Sequence, residues 1–349
     1  MTDKNKSIDY KSAGVNIDAG NEAVERIKRS VATTHNQAVL GGIGGFGSLF
    51  DLKTAIGGYE NPVMVQGIDG VGTKMIVARK MGKFDTIGID LVSACTNDII
   101  TSGARPMTFL DYIASDHLKP GIIEDIVSGI AQGCRESGIA LVGGETAEMP
   151  DTYLKSEHDL VGIVTGFVEK QKMITGKNIK PGDIAIALPS SGLHTNGYSL
   201  ARKLFFEIGN YRVNTHLEEL GQTVGEALLE PHINYTRHVF SLLDKNISIK
   251  GIAHITGGGL VENIPRILPE GCGLEISNNS WEVPSLFKVM QSLGNVKPQE
   301  MFRTFNMGVG LIIVLDPGDV DLAQKSLIEF SKVYELGQIV SGSKEVRFV

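Results

Sequence analysis

A short glycine-rich segment carries the residues best suited to chemistry on phosphate groups. It reads Gly67-Ile-Asp-Gly-Val-Gly-Thr-Lys74 and follows an apolar run at 62–66 that predicts a buried strand. Bare backbone lets amide N–H groups approach a polyphosphate, Lys74 offers it a positive charge, and Asp69 can hold a divalent cation. It is not a Walker A loop, in which Ser or Thr follows Gly-Lys. Taken alone, the segment also fits a tight turn with a solvated lysine.

A second cluster of polar groups lies on a predicted helix at 86–102. Asp90, Asn97 and Asp98 fall within an arc of about 100° on one face, and the opposite face is apolar. Two carboxylates and an amide on a largely buried helix need compensation, which divalent cations commonly provide. The alternative is that these side chains cap neighbouring backbone or face water. With Asp69 as a third carboxylate, the pattern favours a metal site.

Two further segments of the first half are open to more than one interpretation. The predicted strand at 139–143 ends in Gly143-Gly144, followed by Glu145 and Thr146, and acidic groups at a strand's exit commonly serve ligand-binding loops. A helix capped by Thr146 is equally compatible. The segment 42–47 matches Gly-x-Gly-x-x-Gly, but no strand precedes it, so a phosphate-covering flap or a plain loop is favoured over a dinucleotide fingerprint.

Polar residues recur in the second half, where turns lead into helices. Ser190-Ser-Gly-Leu-His194-Thr-Asn196 and His254-Ile-Thr-Gly-Gly-Gly259 both fit phosphate or sugar binding at a helix N-terminus. A lone histidine is nevertheless more often structural than catalytic. Sets typical of serine hydrolases, zinc peptidases or kinases are not visible in the sequence.

Length, composition and charge limit the classes of protein to which this chain can belong. A chain of 349 residues predicts two domains, and a net charge of −7 argues against nonspecific affinity for nucleic acid or an anionic membrane. The first eight residues lack the apolar core of a signal peptide, and no apolar run approaches the ~18 residues of a membrane span. The three cysteines are far apart, which predicts reduced thiols. A cytoplasmic protein is expected.

Strand and helix patterns intermix along the whole chain. This predicts an α/β or α+β fold with a first domain at 1–170 and a second at 171–349, divided at a polar stretch. The expected strands are 62–68, 107–114, 139–143, 159–168, 184–188, 249–255, 273–277, 308–315 and 334–340. The expected helices are 22–30, one from residue 74, 86–102, 121–137, 197–207, 231–245, 260–267, 284–293 and 319–331.

Taken together, the motifs closely resemble the aminoimidazole ribonucleotide (AIR) synthetase family, the phosphoribosylformylglycinamidine cyclo-ligases of purine biosynthesis. The resemblance runs nearly end to end. Asp-Gly-Val-Gly-Thr-Lys74 and Asn97-Asp98 indicate only a wider ATP-binding superfamily. Three segments narrow the resemblance from this superfamily to the AIR synthetase family: Tyr-Lys-Ser-Ala-Gly-Val15, Glu-Thr-Ala-Glu-Met-Pro150 and His-Thr-Asn-Gly-Tyr-Ser199. Two more segments support it, His-Ile-Thr-Gly-Gly-Gly259 and Phe-Asn-Met-Gly-Val-Gly310.

The resemblance implies an N-terminal domain of α/β type with a mixed sheet whose strands pair across a homodimer. It implies a C-terminal α+β domain that faces the first across a cleft. ATP and Mg²⁺ are the implied cofactors, and the implied reaction converts formylglycinamidine ribonucleotide and ATP to AIR, ADP and phosphate. The alternatives are a phosphotransferase like thiamin-monophosphate kinase and a nucleotide-binding regulator without turnover.

The resemblance also implies roles for individual residues. Asp69, Asp98 and Glu145 would hold Mg²⁺, supported by Asp90 and Asn97. Asp98, Lys74 and His194 would take part in catalysis, and His194 and Asn196 would face the ribonucleotide. The resemblance also places Asp69, Asp90, Asn97 and Glu145 on the nucleotide side. The other residues implied there are Lys28, Gly44, Gly45, Phe46, Gly47, Gly70, Gly72, Thr73, Lys74 and Thr146. No general base is assigned.

Overall fold

The computed structural model describes residues 9–349, and the segment 1–8, on which the absence of a signal peptide was argued, lies outside this range. The helices are α1 (Ile17–Ala32), α2 (Leu52–Ile56), α3 (Lys74–Met81), α4 (Ile87–Ile100), α5 (Pro120–Ser137), α6 (Tyr198–Arg202), α7 (Val224–Leu229), α8 (Thr236–Leu243), α9 (Gly259–Asn263), α10 (Ser285–Gly294), α11 (Pro298–Thr304) and α12 (Val320–Leu327). The strands are β1 (Pro62–Gly70), β2 (Arg105–Ser115), β3 (Ala140–Glu148), β4 (His158–Glu169), β5 (Ile184–Pro189), β6 (His216–Leu217), β7 (Gln222–Thr223), β8 (Ile249–His254), β9 (Cys272–Ile276), β10 (Val309–Leu315), β11 (Tyr334–Ser341) and β12 (Val346–Phe348). The mixed α/β class predicted from the sequence is confirmed.

The first sheet has four strands in the order β1-β4-β2-β3, with β2 and β3 parallel and the other pairs antiparallel. Helix α4 packs on this sheet, and α5 packs on α4. Gly162 makes the close approach of α4 possible, because a Cβ there would lie 2.4 Å from the Phe109 ring and 2.9 Å from Cys95 Sγ. The buried face of α4 predicted from its apolar residues is therefore real.

The second sheet has six strands in the order β12-β9-β11-β5-β10-β8. Strand β10 lies inside it, and all seven of its residues are buried, as expected for a strand covered on both faces. Helices α8 and α12 pack against each other beside it. One apolar cluster joins residues of α4 with residues of α6 and α7, so the two halves share a continuous core.

Two boundaries differ from the sequence prediction in ways that affect the site. Strand β3 continues to Glu148, so Gly143 and Gly144 lie inside the strand and do not end it. Helix α8 begins at Thr236 rather than at residue 231, because Asn234 accepts the Thr236 amide and 230–235 runs as irregular chain. Helices α7 and α11, strand β12 and the short β6–β7 hairpin were not predicted.

Within residues 9–349, no helix combines the length and apolarity needed to cross a membrane. Cys95, Cys134 and Cys272 are all buried and unpaired, which confirms the prediction of reduced thiols. Burial raises the pKa of the Cys272 thiol, so thiolate chemistry is disfavoured there.

Candidate functional site between the two domains

Two acidic residues of the first domain meet the second domain at a junction that is open to solvent at Asp98 and is called the cleft here. Asp69 is the penultimate residue of strand β1, and Asp98 lies near the end of α4 with 47% of its side chain exposed. Burial raises the pKa of Asp69, and the negative charge of Asp98 raises it further. A pair of carboxylates close enough to disfavour the ionisation of Asp69 forms an oxygen donor set that a divalent cation would stabilise.

The second domain contributes a histidine to these acids. Strand β8 ends at His254, whose Nδ1 lies 2.7 Å from Oδ1 of Asp98, and the ring itself is buried. This contact joins the two domains at the mouth of the cleft. It engages one oxygen of the Asp98 carboxylate.

Behind His254 lie two more buried histidines. Nε2 of His232 is 3.2 Å from Nε2 of His254, and the His232 ring stacks on His194 with centroids 3.9 Å apart. Burial lowers the pKa of both His194 and His232 well below the usual value, so both are neutral at pH 7. The three rings offer nitrogens within 4.8 Å of one another, but stacked rings do not aim their lone pairs at one point. Their hydrogen bonds explain the cluster better than a metal does.

The hydrogens of this network follow from Asn97. Its Oδ1 accepts the Tyr235 amide and its Nδ2 donates to the Ile233 carbonyl, so Nδ2 also faces His232 Nε2 at 3.2 Å. His232 Nε2 is therefore an acceptor, and the hydrogen between the two Nε2 atoms belongs to His254.

Asn97 and Asp90 do not join Asp98 in the cleft, which corrects the expectation drawn from their shared arc on α4. Both are fully buried against 230–235 of the second domain. Asp90 Oδ1 accepts the amide of His232 at 2.7 Å and the ammonium of Lys74 at 2.8 Å. The three side chains do share one face of α4, as predicted. Most of that face packs against protein, and only its Asp98 end faces the cleft.

The structure buries Lys74. Its side chain has no exposed surface, and Nζ donates to Asp90 and to the Glu230 carbonyl, each at 2.8 Å. Burial lowers the pKa of Lys74 and raises that of Asp90 to about 6, while the attraction between them favours the charged forms. The expected contact of Lys74 with phosphate stays a prediction.

His194 is likewise not at the cleft surface. Only 1% of it is exposed, its Nε2 accepts the Ser191 amide at 3.3 Å, and its backbone has a positive φ of 58°. Close packing holds it, because a Cβ on Gly310 would lie 2.8 Å from the His194 ring and 1.8 Å from Tyr235 Oη. His194 supports His232 from behind, and its expected direct contact with substrate stays a prediction.

Glu145 lies on the other face of the first sheet. One row of direct strand partners crosses the whole first sheet and therefore shares one of its faces: Asp69, Gly162, Asp111 and Gly144. Glu145 follows Gly144 in strand β3, so its side chain leaves the opposite face. Within one chain, the register places the Glu145 side chain on the face opposite Asp69, and its expected role as a metal ligand stays a prediction. Thr146 lies inside β3 as well, so it caps no helix.

The remaining predicted residues line or border the cleft. Gly72 is exposed with a φ of 53°, whereas the amide of Gly70 donates to Asp69 Oδ1 at 2.7 Å. Thr73 Oγ1 lies 3.4 Å from Ser199 Oγ across the domains. Asn196 is partly exposed beside the loop 256–259, where a Cβ on Gly257 would lie 3.4 Å from Asn196 Oδ1.

The glycine-rich segment near residue 44 is an exposed loop. Gly44, Gly45 and Gly47 are exposed, and Phe46 is as exposed as a side chain can be. A single bridge between Val39 and Phe50 closes the base of the loop. Lys28 lies on exposed helix α1 and pairs with Glu25 at 2.5 Å.

Sequence reasoning missed His232 and the segment around it. The signal available was Pro231 directly before His232, with Asn234 as a helix-start residue, which together mark irregular chain before α8. His254 was noticed in its motif but given no role.

Comparison with known proteins gives the same family that the motifs indicated. Residues 54–168 match the model of the AIR synthase related protein, N-terminal domain, and residues 180–349 match that of the C-terminal domain. A phosphoribosylformylglycinamidine cyclo-ligase of Thermoanaerobacter pseudethanolicus is 49% identical over 95% of this chain and 98% of its own length. One from Pseudothermotoga lettingae is 50% identical over 97% of this chain and 98% of its own.

Solved structures of lower identity share the fold. The hydrogenase maturation protein HypE in complex with ATP has a TM-score of 0.67 at 17% identity, covering 96% of this chain and 92% of its own. Thiamine-monophosphate kinase from Stenotrophomonas maltophilia has a TM-score of 0.66 at 17% identity, covering 94% and 95%. Fold and sequence agree: the chain belongs to the phosphoribosylformylglycinamidine cyclo-ligase family of AIR synthase related proteins.

Proposed function

We propose that the protein catalyses the ATP-dependent cyclisation of formylglycinamidine ribonucleotide to AIR, with release of ADP and phosphate, in purine biosynthesis. Relatives of that name match it at about half identity over nearly the whole chain. The structural observation that carries the proposal is the cleft where Asp69 and Asp98 of one domain face His254 of the other.

The reaction follows from the weak electrophilicity of an amide. The γ-phosphoryl group of ATP passes to the formamide oxygen, and the bond between the γ-phosphorus and the oxygen that leaves with ADP breaks. The amidine nitrogen then attacks the activated carbon, the C–O bond to phosphate breaks, and nitrogen loses a proton as the imidazole ring closes. Such transfer depends mainly on positioning and on neutralising charge. The cleft suits it, because acids for a cation and donors for phosphates lie on the first domain and His254 of the second domain meets them.

We propose that Asp69 and Asp98 hold Mg²⁺, because these carboxylates lie close enough to interact and Asp98 is open to solvent. When bound, Mg²⁺ would neutralise charge on the transferring phosphoryl group. His254 holds one Asp98 oxygen and leaves the other for the metal. The exposed amide of Gly72, Thr73 and the loop 44–47 are proposed on the phosphate side, Lys28 on the nucleotide side, and Asn196 on the ribonucleotide side.

We propose a homodimer built on the first sheet. Strand β1 is an edge strand of nine residues, and its outward face exposes Met64 and Ile68 at 56% and 67%. An uncovered edge with exposed apolar side chains favours pairing with a second copy. Glu145 lies on the same face, so its carboxylate could reach a metal only in such a dimer. Light scattering should give twice the mass of the chain, and a monomeric mass would contradict the dimer.

We place the division between domains at residue 170, where β4 has ended and the second sheet has not begun. A cytoplasmic location is proposed because the three thiols are unpaired. A phosphotransferase like thiamin-monophosphate kinase is less favoured, since that likeness is at 17% identity. A regulator without turnover is less favoured because Asp69 and Asp98 are both present and close.

The test is ADP release by the purified protein with ATP and Mg²⁺, with and without formylglycinamidine ribonucleotide, while the product amine is followed colorimetrically. We expect one AIR for each ADP, and only with the ribonucleotide present. ATP binding without that turnover would contradict the proposal and return the question to the kinase or regulatory alternatives.

A further inference from the structure

Lys74 makes its polar contacts inside the protein. Two hydrogens of Nζ go to Asp90 Oδ1 and the Glu230 carbonyl, each at 2.8 Å, and Nζ lies 5.8 Å from the centroid of the Tyr198 ring. The side chains of Lys74 and Asp90 have no exposed surface, so the third hydrogen of the ammonium group does not reach solvent. Lys74 directly follows a glycine-rich loop whose pattern suggests a phosphate contact, whereas Asp90 lies on α4.

The partners of this ion pair belong to one segment of the second domain. Between the end of α7 and the start of α8, residues 230–235 form no helix or strand. The Glu230 carbonyl accepts from Lys74, and the His232 amide donates to Asp90 at 2.7 Å. Asn97 bonds the Ile233 carbonyl and the Tyr235 amide at 2.8 and 2.9 Å. Three side chains of α3 and α4 thus replace the missing secondary structure of this segment.

The segment matters because of what His232 touches. Its ring lies 3.2 Å from His254 Nε2, and His254 lies 2.7 Å from Asp98. A chain of contacts therefore runs from Lys74 and Asp90 through His232 and His254 to the exposed carboxylate at the cleft.

We infer that Lys74 and Asp90 are positioning residues, which clamp residues 230–235 of the second domain onto the first and, through His232, hold His254 against Asp98. The inference rests on the proposed function, because it concerns the geometry of the same cleft. It assigns the lysine of the glycine-rich loop to the joint between the domains and not to the phosphates of ATP.

The test compares three variants of the full-length protein: Lys74→Met, Asp90→Asn and the double variant. Lys74→Met alone leaves a buried carboxylate without its cation. The double variant removes both charges and keeps an oxygen that can accept the His232 amide, so it keeps the test available if the single variants fail to fold. Lys80→Met, an exposed lysine on the same helix, is the matched control and should leave turnover unchanged.

If Lys74 and Asp90 clamp residues 230–235 as inferred, the Kd for ATP of the folded double variant should stay within about threefold of the wild type, because no phosphate contact is lost. We expect its kcat to fall at least about tenfold, since displacement of His254 disturbs the cleft. In a His232→Ala background, the double substitution should lower kcat little further, because its effect passes through His232.

A rise in the Kd for ATP of roughly tenfold or more in both Lys74→Met and the double variant would overturn the inference, because it would show a phosphate contact. Unchanged kcat in the folded double variant would also overturn it, since the pair would then only stabilise the fold. Nucleotide affinity does not require turnover. Failure of the wild type to form AIR would therefore count against the proposed function and leave the test of a phosphate contact intact.

Discussion

Asp90 and Asp98 lie two turns apart on the same helix, yet they have opposite surroundings. Asp90 is fully buried, pairs with Lys74 and accepts a backbone amide of the second domain. Asp98 is half exposed and touches one histidine at the cleft. The comparison shows that the second domain decides which acid of α4 holds the structure together and which is available for chemistry.

Removal of the buried acid should have the largest effect on stability. Asp90→Ala leaves the Lys74 ammonium buried without its partner, and we expect the free energy of unfolding to fall by about 3–5 kcal/mol. Urea unfolding monitored by circular dichroism measures this. A loss below ~1 kcal/mol would show that the ion pair adds little to the folded state.

Removal of the exposed acid should have the opposite effect, with a large loss of turnover and little loss of stability. Asp98→Ala deletes a proposed Mg²⁺ ligand, and we expect kcat to fall at least about a hundredfold while the unfolding midpoint barely moves. Steady-state AIR formation measures the rate. Asp85→Ala, an exposed acid just before the same helix, is the control and should retain wild-type turnover. Near-wild-type rates in Asp98→Ala would contradict the metal assignment.

A third acid sharpens the comparison, because it lies inside the first sheet and is only partly exposed. Burial raises the pKa of Asp111 to about 7, against 3.8 for the free side chain. The folded protein therefore binds more protons than the unfolded chain between these values, so Asp111 costs stability as pH rises towards 8.

We expect Asp111→Asn to be more stable than the wild type by about 2 kcal/mol at pH 8, a value reduced for partial solvent access, and by less than about 1 kcal/mol at pH 5. Thermal unfolding at the two pH values measures this. A constant difference between the variant and the wild type at both values would show that Asp111 titrates normally.

The exposed ion pair on α1 should have the smallest effect. Lys28 and Glu25 have side chains 51% and 73% exposed, so solvent and salt screen their attraction. We expect Lys28→Ala to change the free energy of unfolding by less than about 0.5 kcal/mol. A larger loss of unfolding free energy, measured in urea, would show that Lys28 makes packing contacts that stabilise the fold.

Much of this arrangement was predictable from the sequence because it depends on local patterns. The apolar face of α4, the strand before Asp69 and the family motifs were all visible without coordinates. The separate roles of Asp90 and Asp98 were not, since both lie in one arc of the helix and only the packing of 230–235 distinguishes them. Helical periodicity gives a face but not the partner that covers it.

The same limit explains why the surroundings of Glu145 and His194 could not be predicted from the sequence. A pair of glycines predicted the end of a strand, but Gly144 lies beside Asp111 inside β3, and strand register placed Glu145 on the far face. His194 lies in a motif rich in donors, but the close approach of Gly310 and Tyr235 buries it. Both outcomes depend on residues distant in sequence.

The most direct measurement compares the isosteric variants Asp98→Asn and Asp90→Asn for kcat and for free energy of unfolding in the same buffer. We expect Asp98→Asn to lose at least about a hundredfold in kcat at nearly unchanged stability, and Asp90→Asn to lose stability. The reverse pattern, with a stable Asp90→Asn that cannot turn over and an active Asp98→Asn, would contradict the division between the two ends of α4.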